Sequence, residues 1–339
     1  MVQPSTPSLL RVAVLLPCFN EEVAVTTVVR QFREALPWAQ VYVYDNNSTD
    51  ATAQRAREAG AVVCHEERQG KGHVVRRMFS DIEADIYVLA DGDATYHAPS
   101  AIEMIATLQR QKLDMVVGVR VHEVSDAYRA GHQFGNAMLT GVVTQLFGKS
   151  FNDILSGYRV FSRRFVKSFP ALSRGFEIET ELTVHALQLA LPVSEVKTPY
   201  GARPAGSSSK LSTYRDGWRI LRVILGLYRH EQPLACFGFL ALLLALVSVG
   251  LGTRVVMEFF ETGLVPRLPT AVLATGIMLI AALLVAVGLI LETVTRGRRE
   301  MRRLFYLQIP APPEPQGAPL NAGLRAHPVQ AAMSEKLLS

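Results

Sequence analysis

A chain of 339 residues, 49% hydrophobic and 19% charged, can hold one large or two small domains and has the mixture of a globular protein rather than a disordered one. Its net charge of +5, from 35 Lys and Arg against 30 Asp and Glu, is too mild to point to nucleic acid. The three cysteines, Cys18, Cys64 and Cys236, stand far apart with no CxxC or Cys/His spacing. That pattern excludes a zinc site, argues against a disulfide framework and reads as reduced, small apolar residues in a cytoplasmic protein.

The opening stretch MVQPSTPSLLRVAVLLP does not read as a signal peptide, because Arg11 interrupts its apolar run and no small-residue cleavage site follows. Residues 1–10 read as an N-terminal tail. From Arg11 to about Tyr200, short apolar runs rich in Val, Ile and Tyr alternate with helical patterns. The runs are RVAVLLP, VYVYD, AVVCH, IYVLA and DMVVGV; the helical patterns are Glu21–Leu36, Asp50–Ala59, Lys71–Ile82 and Pro99–Gln111. This alternation predicts an α/β domain, a mainly parallel sheet with helices on both faces. Strands covered on both sides need no polar face, hence their continuous apolar character. In such sheets ligands bind outside the carboxyl ends of the strands. Those ends are Pro17–Glu22, Asp45–Ser48, Glu66–Gly72 and Asp91–Asp93, and polar residues fall at every one.

Each end has a chemical reading. Asp45 closes the second run and can accept hydrogen bonds from a ribose or a base edge, since Thr49 or Asp50 is better placed to cap the next helix. In RQGKGH, Gly70 and Gly72 flank Lys71: glycines let a backbone approach a ligand and a lysine suits a phosphate, while a surface turn is the plain alternative. Neither a GxGxxG fingerprint nor a GxxxxGKS/T loop is present, so the stretch does not predict a dinucleotide or ATP enzyme. In IYVLADGDATYH an apolar run ends on Asp91-Gly92-Asp93. A hard cation such as Mg²⁺ or Mn²⁺ takes one or two carboxylates plus substrate phosphates, and Gly92 would allow the turn that brings both acids toward one metal and its diphosphate. In GFEIETELTVHAL, Glu177, Glu179 and Glu181 have the spacing of a solvated helix face, with Glu179 as a residue that could instead line the site.

The C-terminal third has a different character. Within residues 211–232, Arg215, Arg219, Arg222 and Arg229 fall in one helical stripe. Trp218, Ile220, Leu221, Val223, Ile224, Leu225, Leu227 and Tyr228 cover the rest, the pattern of a helix lying in a membrane interface. Residues 233–295 contain two uncharged stretches, Leu234–Thr253 and Thr270–Leu291, each about 20 residues and so long enough to span about 30 Å of hydrocarbon. After the second come Arg296, Arg298, Arg299, Arg302 and Arg303, which place both flanks in the cytoplasm by the positive-inside rule. Residues 296–339 read as a basic juxtamembrane segment and a Pro- and Ala-rich disordered tail.

Several motifs together, LLPCFNEE, YDNNSTDAT, VLADGDATY, MVVGVR and DILSGYRVF, resemble the family 2 glycosyltransferases of the GT-A fold. With YGARPAGSSSKLSTYRDG, they resemble more narrowly the polyprenyl-phosphate sugar synthases, the dolichol-phosphate mannose synthase type. The resemblance covers roughly residues 10–232 and implies a GT-A glycosyltransferase domain over residues 11–210. It implies that Pro17, Asn20 and Glu22 lie near the nucleotide's base and ribose, with Asp45 as the nucleotide-binding acid. Asp91 and Asp93 would handle Mg²⁺ or Mn²⁺ and the sugar diphosphate. Arg120 would bind phosphate, Ser156 and Arg159 would face the acceptor, and Arg203 and Lys210 would close over phosphate. Where some mannose synthases carry Gln two places after the second acid this chain has Thr95, so the sugar and the choice of UDP or GDP stay open. The QxxRW motif of processive polymer synthases is absent.

Two acceptors are chemically distinct. A lipid phosphate arrives already ionised, with a second pKa of about 6, and needs arginines rather than a base. A sugar hydroxyl needs a carboxylate to take its proton, and Asp153 is the candidate. The reading is an inverting, multi-pass transferase of the cytoplasmic membrane, with its catalytic domain and both termini in the cytoplasm. It moves a sugar from a nucleotide diphosphate to a polyprenyl phosphate, undecaprenyl or dolichyl. Transfer to a glycan or glycolipid hydroxyl and a non-catalytic, nucleotide-sugar-binding membrane partner are the alternatives; homo-oligomerisation is left open.

Overall fold

The computed structural model describes residues 10–122, 140–141, 143–145, 148, 151–171, 177–201, 226, 229 and 231–311. Seven strands form one sheet: β1 (Val12–Cys18), β2 (Gln40–Asp45), β3 (Val62–His65), β4 (Ile86–Leu89), β5 (Met115–His122), β6 (Arg159–Ser162) and β7 (Val193–Tyr200). Their order is β3-β2-β1-β4-β6-β5-β7. All pairings are parallel except those of β6, which runs antiparallel between β4 and β5. This is the α/β, GT-A type of fold, with its mainly parallel sheet. The chain winds one way from β1 through β3 and then crosses to β4 on the other side of β1, so the tips of β1 and β4 flank the crevice where such sheets bind ligands.

The helices of this domain are α1 (Val25–Ala35), α2 (Thr52–Glu58), α3 (Lys71–Asp81), α4 (Ser100–Arg110), α5 (Arg163–Ser168) and α6 (Ile178–Gln188). Alternation along β1 sends Leu15 to one face of the sheet and Val14 and Leu16 to the other. On the first face Leu15 packs with Met78, Phe79, Phe161 and Phe165; on the second, Val14 and Leu16 pack with Val28, Phe32, Met104 and Tyr158. The burial of Val25, Val28, Val29 and Phe32 follows the i, i+3, i+4, i+7 rule for one helix face.

The helix expected from Glu21 begins only at Val25. Residues 21–24 are held as a turn, since Glu21 N donates to Thr52 Oγ1 at 2.8 Å and Glu22 N to Asp50 Oδ2 at 3.2 Å. Strands β6 and β7 were hidden in the sequence pattern: β6 opens on a charged residue, and β7 alternates polar side chains along a sheet edge.

Two long helices follow, α7 (Pro233–Thr262) and α8 (Leu268–Gln308), of 30 and 41 residues. At 1.5 Å per residue they extend about 45 and 60 Å, beyond the roughly 30 Å of a bilayer core. They contain both expected spans. Only 11% of the apolar window of α7 and 17% of that of α8 is buried, which is not how core helices of a soluble domain behave. The outward residues, among them Leu242, Leu246, Leu279, Leu283 and Ile290, are apolar, as a membrane hairpin requires. The inward ones are small and seven apart: Ala241 and Ser248, then Val255, on α7, and Ala274, Ala281 and Gly288 on α8. Small residues let two helices approach closely where no hydrophobic effect drives them together. Ser248 Oγ donates to the Ala274 carbonyl at 2.7 Å across the seam.

The basic juxtamembrane run, residues 296–308, continues α8 as helix and packs on the catalytic domain. The expected tail from residue 312, and nearly all of the arginine-striped segment 211–232, lie outside the described residues.

A Cβ added at Gly288 would sit 3.3 Å from Leu234 Cδ1 and 3.4 Å from the Leu234 backbone. Gly288→Leu is therefore expected to force the hairpin apart at a cost of about 1–3 kcal/mol, read as a lowered melting temperature of the detergent-solubilised protein, while Leu283→Ala on the outward face leaves it unchanged.

Candidate active site

The tips of β1, β2, β3 and β4 are tied to one another by side chains. Asn20, at a left-handed φ of 52°, accepts from Thr49 N at 2.8 Å, and its own N–H donates to Ser48 Oγ at 2.9 Å. Glu22 Oε2 accepts from Ala51 N at 3.1 Å. These two residues, expected beside a nucleotide, stitch the loop after β1 to the loop after β2; Pro17 lies half-buried at the end of β1. Asp50 Oδ1 accepts from Thr52 N at 3.0 Å, so Asp50 braces the start of α2 and Asp45 is not needed there. Asp45 is 5% exposed; its Oδ2 lies 3.2 Å from His65 Nδ1, and its Oδ1 has no hydrogen-bond partner. An orphaned buried carboxylate oxygen costs free energy unless something donates to it.

The RQGKGH turn is more than a surface turn. Asn46 fixes it, donating to the carbonyls of Glu66 and Arg68 at 2.9 and 2.8 Å and accepting from Gly70 N at 2.7 Å. Gly70 has φ 131°, which only glycine adopts without strain. Lys71 then opens α3 with its side chain turned inward. Its Nζ lies 2.5 Å from Asp91 Oδ1 and 2.5 Å from Glu179 Oε1. Burial works against the charged ammonium, but the two carboxylates outweigh it and hold Lys71 protonated well above its ordinary range. Burial also pushes the Glu179 carboxyl up, with Lys71 pulling the other way. Glu179 Oε2 is buried without a partner.

Gly92 lies in the expected turn, but its φ is not left-handed and the need for glycine is one of space. The left-handed residue here is Ala94, at φ 60°. A Cβ on Gly92 would sit 2.4 Å from Cys18 Sγ, so glycine lets the tip of β4 close against the tip of β1. Asp93 is buried, and its Oδ1 accepts from Thr95 N at 3.2 Å and Thr95 Oγ1 at 2.6 Å. Gly157 has a matching need: a Cβ there would meet Asp91 Oδ2 at 2.7 Å and Lys71 Nζ at 3.1 Å.

On the acceptor side, Arg120 grips Asp153 with both arms, Nε to Oδ2 at 2.6 Å and Nη2 to Oδ1 at 2.8 Å. The Arg120 guanidinium also lies 5.5 Å from the centre of the Tyr200 ring. Glu195 Oε1 accepts from the N–H of Asn152 at 2.8 Å and of Asp153 at 3.4 Å, which holds the Asp153 loop. Ser156 and Arg159, expected to face the acceptor, spend their polar atoms on protein partners. Both are fully buried. Ser156 Oγ donates to the Gly118 carbonyl at 2.6 Å. Arg159 donates to the Ser156 and Ile154 carbonyls at 2.9 and 2.5 Å and to Thr183 Oγ1 at 2.9 Å. Burial lowers its pKa to about 10, still above any physiological pH. Its charge is spent on holding the loop that carries Asp153. Arg203 and Lys210 lie outside the described residues.

The β4 tip therefore brings together Lys71, Asp91, Glu179 and Gly157, with Asp93 two residues on and Asp45 at the end of β2, on the far side of β1. Lys71, Asp91 and Glu179 together carry one more negative charge than positive, and the donors are hard oxygens, a set that suits Mg²⁺ or Mn²⁺. Among the described residues no group of three or more His, Cys, Asp or Glu could hold a metal by itself. An ion here would need phosphate oxygens to complete its shell. Gly157 and Cys18 were missed as site residues by sequence reasoning, whereas Glu179 reads there as a residue that could line the site instead of a solvated face. For Gly157 and Cys18 the deciding neighbours, Asp91 and Gly92, are distant in sequence.

Residues 13–169 match the family described as Glycosyl transferase family 2. Glycosyltransferase AglJ of Haloferax volcanii is 31% identical over 299 residues, covering 88% of this chain and 98% of that protein. A dolichyl-phosphate hexose transferase of the same organism is 24% identical over 223 residues, 65% of this chain and 95% of that protein. Among solved structures, glucosyl-3-phosphoglycerate synthase from Mycobacterium tuberculosis in complex with Mn²⁺, uridine diphosphate and phosphoglyceric acid superposes with a TM-score of 0.54 at 21% identity. That match covers 65% of this chain and 78% of that one, and it is a likeness of fold.

Gly92→Ala is expected to separate the β1 and β4 tips, lowering stability by about 1–3 kcal/mol and turnover with it. Cys18→Ala combined with Gly92→Ala should recover most of both losses in a double-mutant cycle of melting and activity.

Proposed function

The chain belongs to glycosyl transferase family 2 and is a glycosyltransferase, and from that premise we propose that it transfers a sugar from a nucleotide diphosphate to a polyprenyl phosphate in the membrane, with inversion at the anomeric carbon. The observation that carries the choice of acceptor is the Arg120–Asp153 pair. Both oxygens of the one carboxylate suited to deprotonate a hydroxyl are already held by a guanidinium, whereas a guanidinium has five N–H donors and is not exhausted by one carboxylate. The domain is joined to a hairpin of two long apolar helices, where a lipid-borne acceptor would be found. The dolichyl-phosphate hexose transferase among its relatives agrees with this reading.

On this reading Asp45 offers its unpartnered oxygen to a donor hydroxyl or base N–H of the nucleotide. Asp91 and Asp93 would hold Mg²⁺ or Mn²⁺ together with the diphosphate, and a cation bound there would supply neutralisation of the charge on the departing nucleotide. Lys71 keeps its charge beside the same phosphates, and Arg120 draws the acceptor phosphate toward the anomeric carbon. Because that phosphate is already ionised, no side chain must take a proton. The hairpin crosses the bilayer twice, with the arginines after the second span and the catalytic domain on the cytoplasmic side.

The test is to incubate the purified protein with Mn²⁺ or Mg²⁺, a panel of nucleotide sugars and undecaprenyl phosphate, and to weigh the lipid product. A glycosylated lipid phosphate is expected, lost on chelation with EDTA and reduced at least about 100-fold by Asp91→Asn, while Asp153→Asn keeps at least about a tenth of the rate. Product formed only on a hydroxyl acceptor, and abolished by Asp153→Asn, would overturn the reading.

A further inference from the structure

The cytoplasmic end of α8 is built into the catalytic domain at a place remote from the cleft. Arg299, Arg302 and Tyr306 are spaced i, i+3, i+7 and so share one helix face. Arg299 Nη2 donates to the Glu231 carbonyl at 2.8 Å and to Glu231 Oε2 at 2.7 Å. Arg302 donates to Gln188 Oε1 at the end of α6, and Gln188 donates in turn to Glu231 Oε1. Glu231 stands two residues before α7 and is buried, so it knots the start of one span to the end of the other and to α6. Tyr306 OH donates to Asp114 Oδ2 at 2.7 Å, and the Arg164 guanidinium of α5 lies 5.0 Å from the Tyr306 ring centre. Asp114 is fully buried; Ser162 Oγ donates to its Oδ1 at 2.6 Å and Arg164 Nε lies 3.5 Å away. A buried carboxylate needs every such donor, and one of these comes from the membrane helix.

Asp114 immediately precedes β5, the strand that ends near Arg120. Six residues of strand, roughly 20 Å, separate the two ends. One rigid path thus runs from the bilayer along α8, through Tyr306 and Asp114, and up β5 to the arginine placed at the acceptor. We propose that Tyr306, with Arg299 and Arg302, is a positioning residue for a bilayer-borne acceptor: the strut fixes the height and tilt of the cleft over the membrane. A headgroup tethered to lipid cannot follow a domain that swings on its anchor, so productive alignment has to be built into the protein. A short acceptor free in solution has no such need. The kinetic part of this proposal rests on the phosphate-acceptor reading above; the strut itself does not.

The experiment compares the full-length protein with Tyr306→Phe, which removes one hydroxyl and leaves the ring on Arg164. In nanodiscs, kcat/KM for undecaprenyl phosphate is expected to fall at least about ten-fold, while turnover of a short, water-soluble prenyl phosphate in detergent stays within about two-fold of wild type. Arg299→Ala with Arg302→Ala should behave the same way and serves where Tyr306→Phe does not fold. Equal losses with both acceptors, or no loss with either, would overturn the proposal. A second readout needs no acceptor. Nitroxides at positions 38 and 264, both well exposed at 63% and 69%, are introduced in a background lacking Cys64 and Cys236. They should give one narrow distance in wild type and a broad distribution in the variants; an unchanged distribution would refute the strut. If wild type transfers to neither phosphate, the acceptor reading fails and the distance measurement alone decides on the strut.

Discussion

A lysine ammonium buried between two carboxylates organises the whole crevice. Lys71, Asp91 and Glu179 come from the start of α3, the tip of β4 and the start of α6, three segments far apart in sequence. Removing Lys71 would leave two carboxylates facing each other without a cation, which is far costlier than the ion pairs are stabilising. The cluster therefore fixes how α3 and α6 sit on the sheet, and the glycines around it follow from it. Gly70 turns the chain so that Lys71 points inward, and Gly157 leaves room for the Asp91–Lys71 pair. A site that must receive a highly charged donor is thus preorganised by charges of its own before the donor arrives.

The acceptor side is held by a different device. Arg159 is a permanent cation with no surface, and it spends its donors on loop carbonyls and Thr183. Those carbonyls belong to Ile154 and Ser156, which bracket the turn after Asp153. With Glu195 gripping the same loop from β7, the Arg120–Asp153 pair sits on a frame braced from β6 and β7 at once. One arginine is wholly buried as a brace, while the other holds Asp153 through both of its carboxylate oxygens. A sequence motif containing both a serine and an arginine does not say which residue is which; burial does.

Much of this was legible in the sequence. Val- and Ile-rich runs gave β1 to β5, because parallel strands buried on both faces carry a strong apolar signal, and the two of them that run into an acid, β2 and β4, gave the location of Asp45 and Asp91. The two spans were equally plain. What could not be read depends on tertiary context. β6 begins with a charged residue whose burial is made possible in part by Thr183 Oγ1 and Met115 Sδ, 24 and 44 residues away. Glu179 lies in a helix whose acids read as a wet face, and its burial is decided by Lys71 more than a hundred residues earlier. Gly92 reads as a turn residue, yet its need is set by the sulfur of Cys18. In each case the deciding neighbour is distant in sequence, where periodicity and local propensity carry no information.

The arginines after the second span show the same limit in a form that bears on how the enzyme meets its membrane. A basic run at the end of a hydrophobic stretch satisfies the positive-inside rule whichever partner the charges finally take. Here two of them turn toward Glu231 and Gln188, while their neighbours Arg298 and Arg303 are exposed and make no hydrogen bond or ion pair with the domain among the described residues. The run is thus divided between side chains that dock on protein and side chains that stay exposed. The docked ones join the catalytic domain to α8 by hydrogen bonds. This docking makes α8 at once an anchor and a structural element of the soluble fold, because the shell of Asp114 is completed only when Tyr306 is in place.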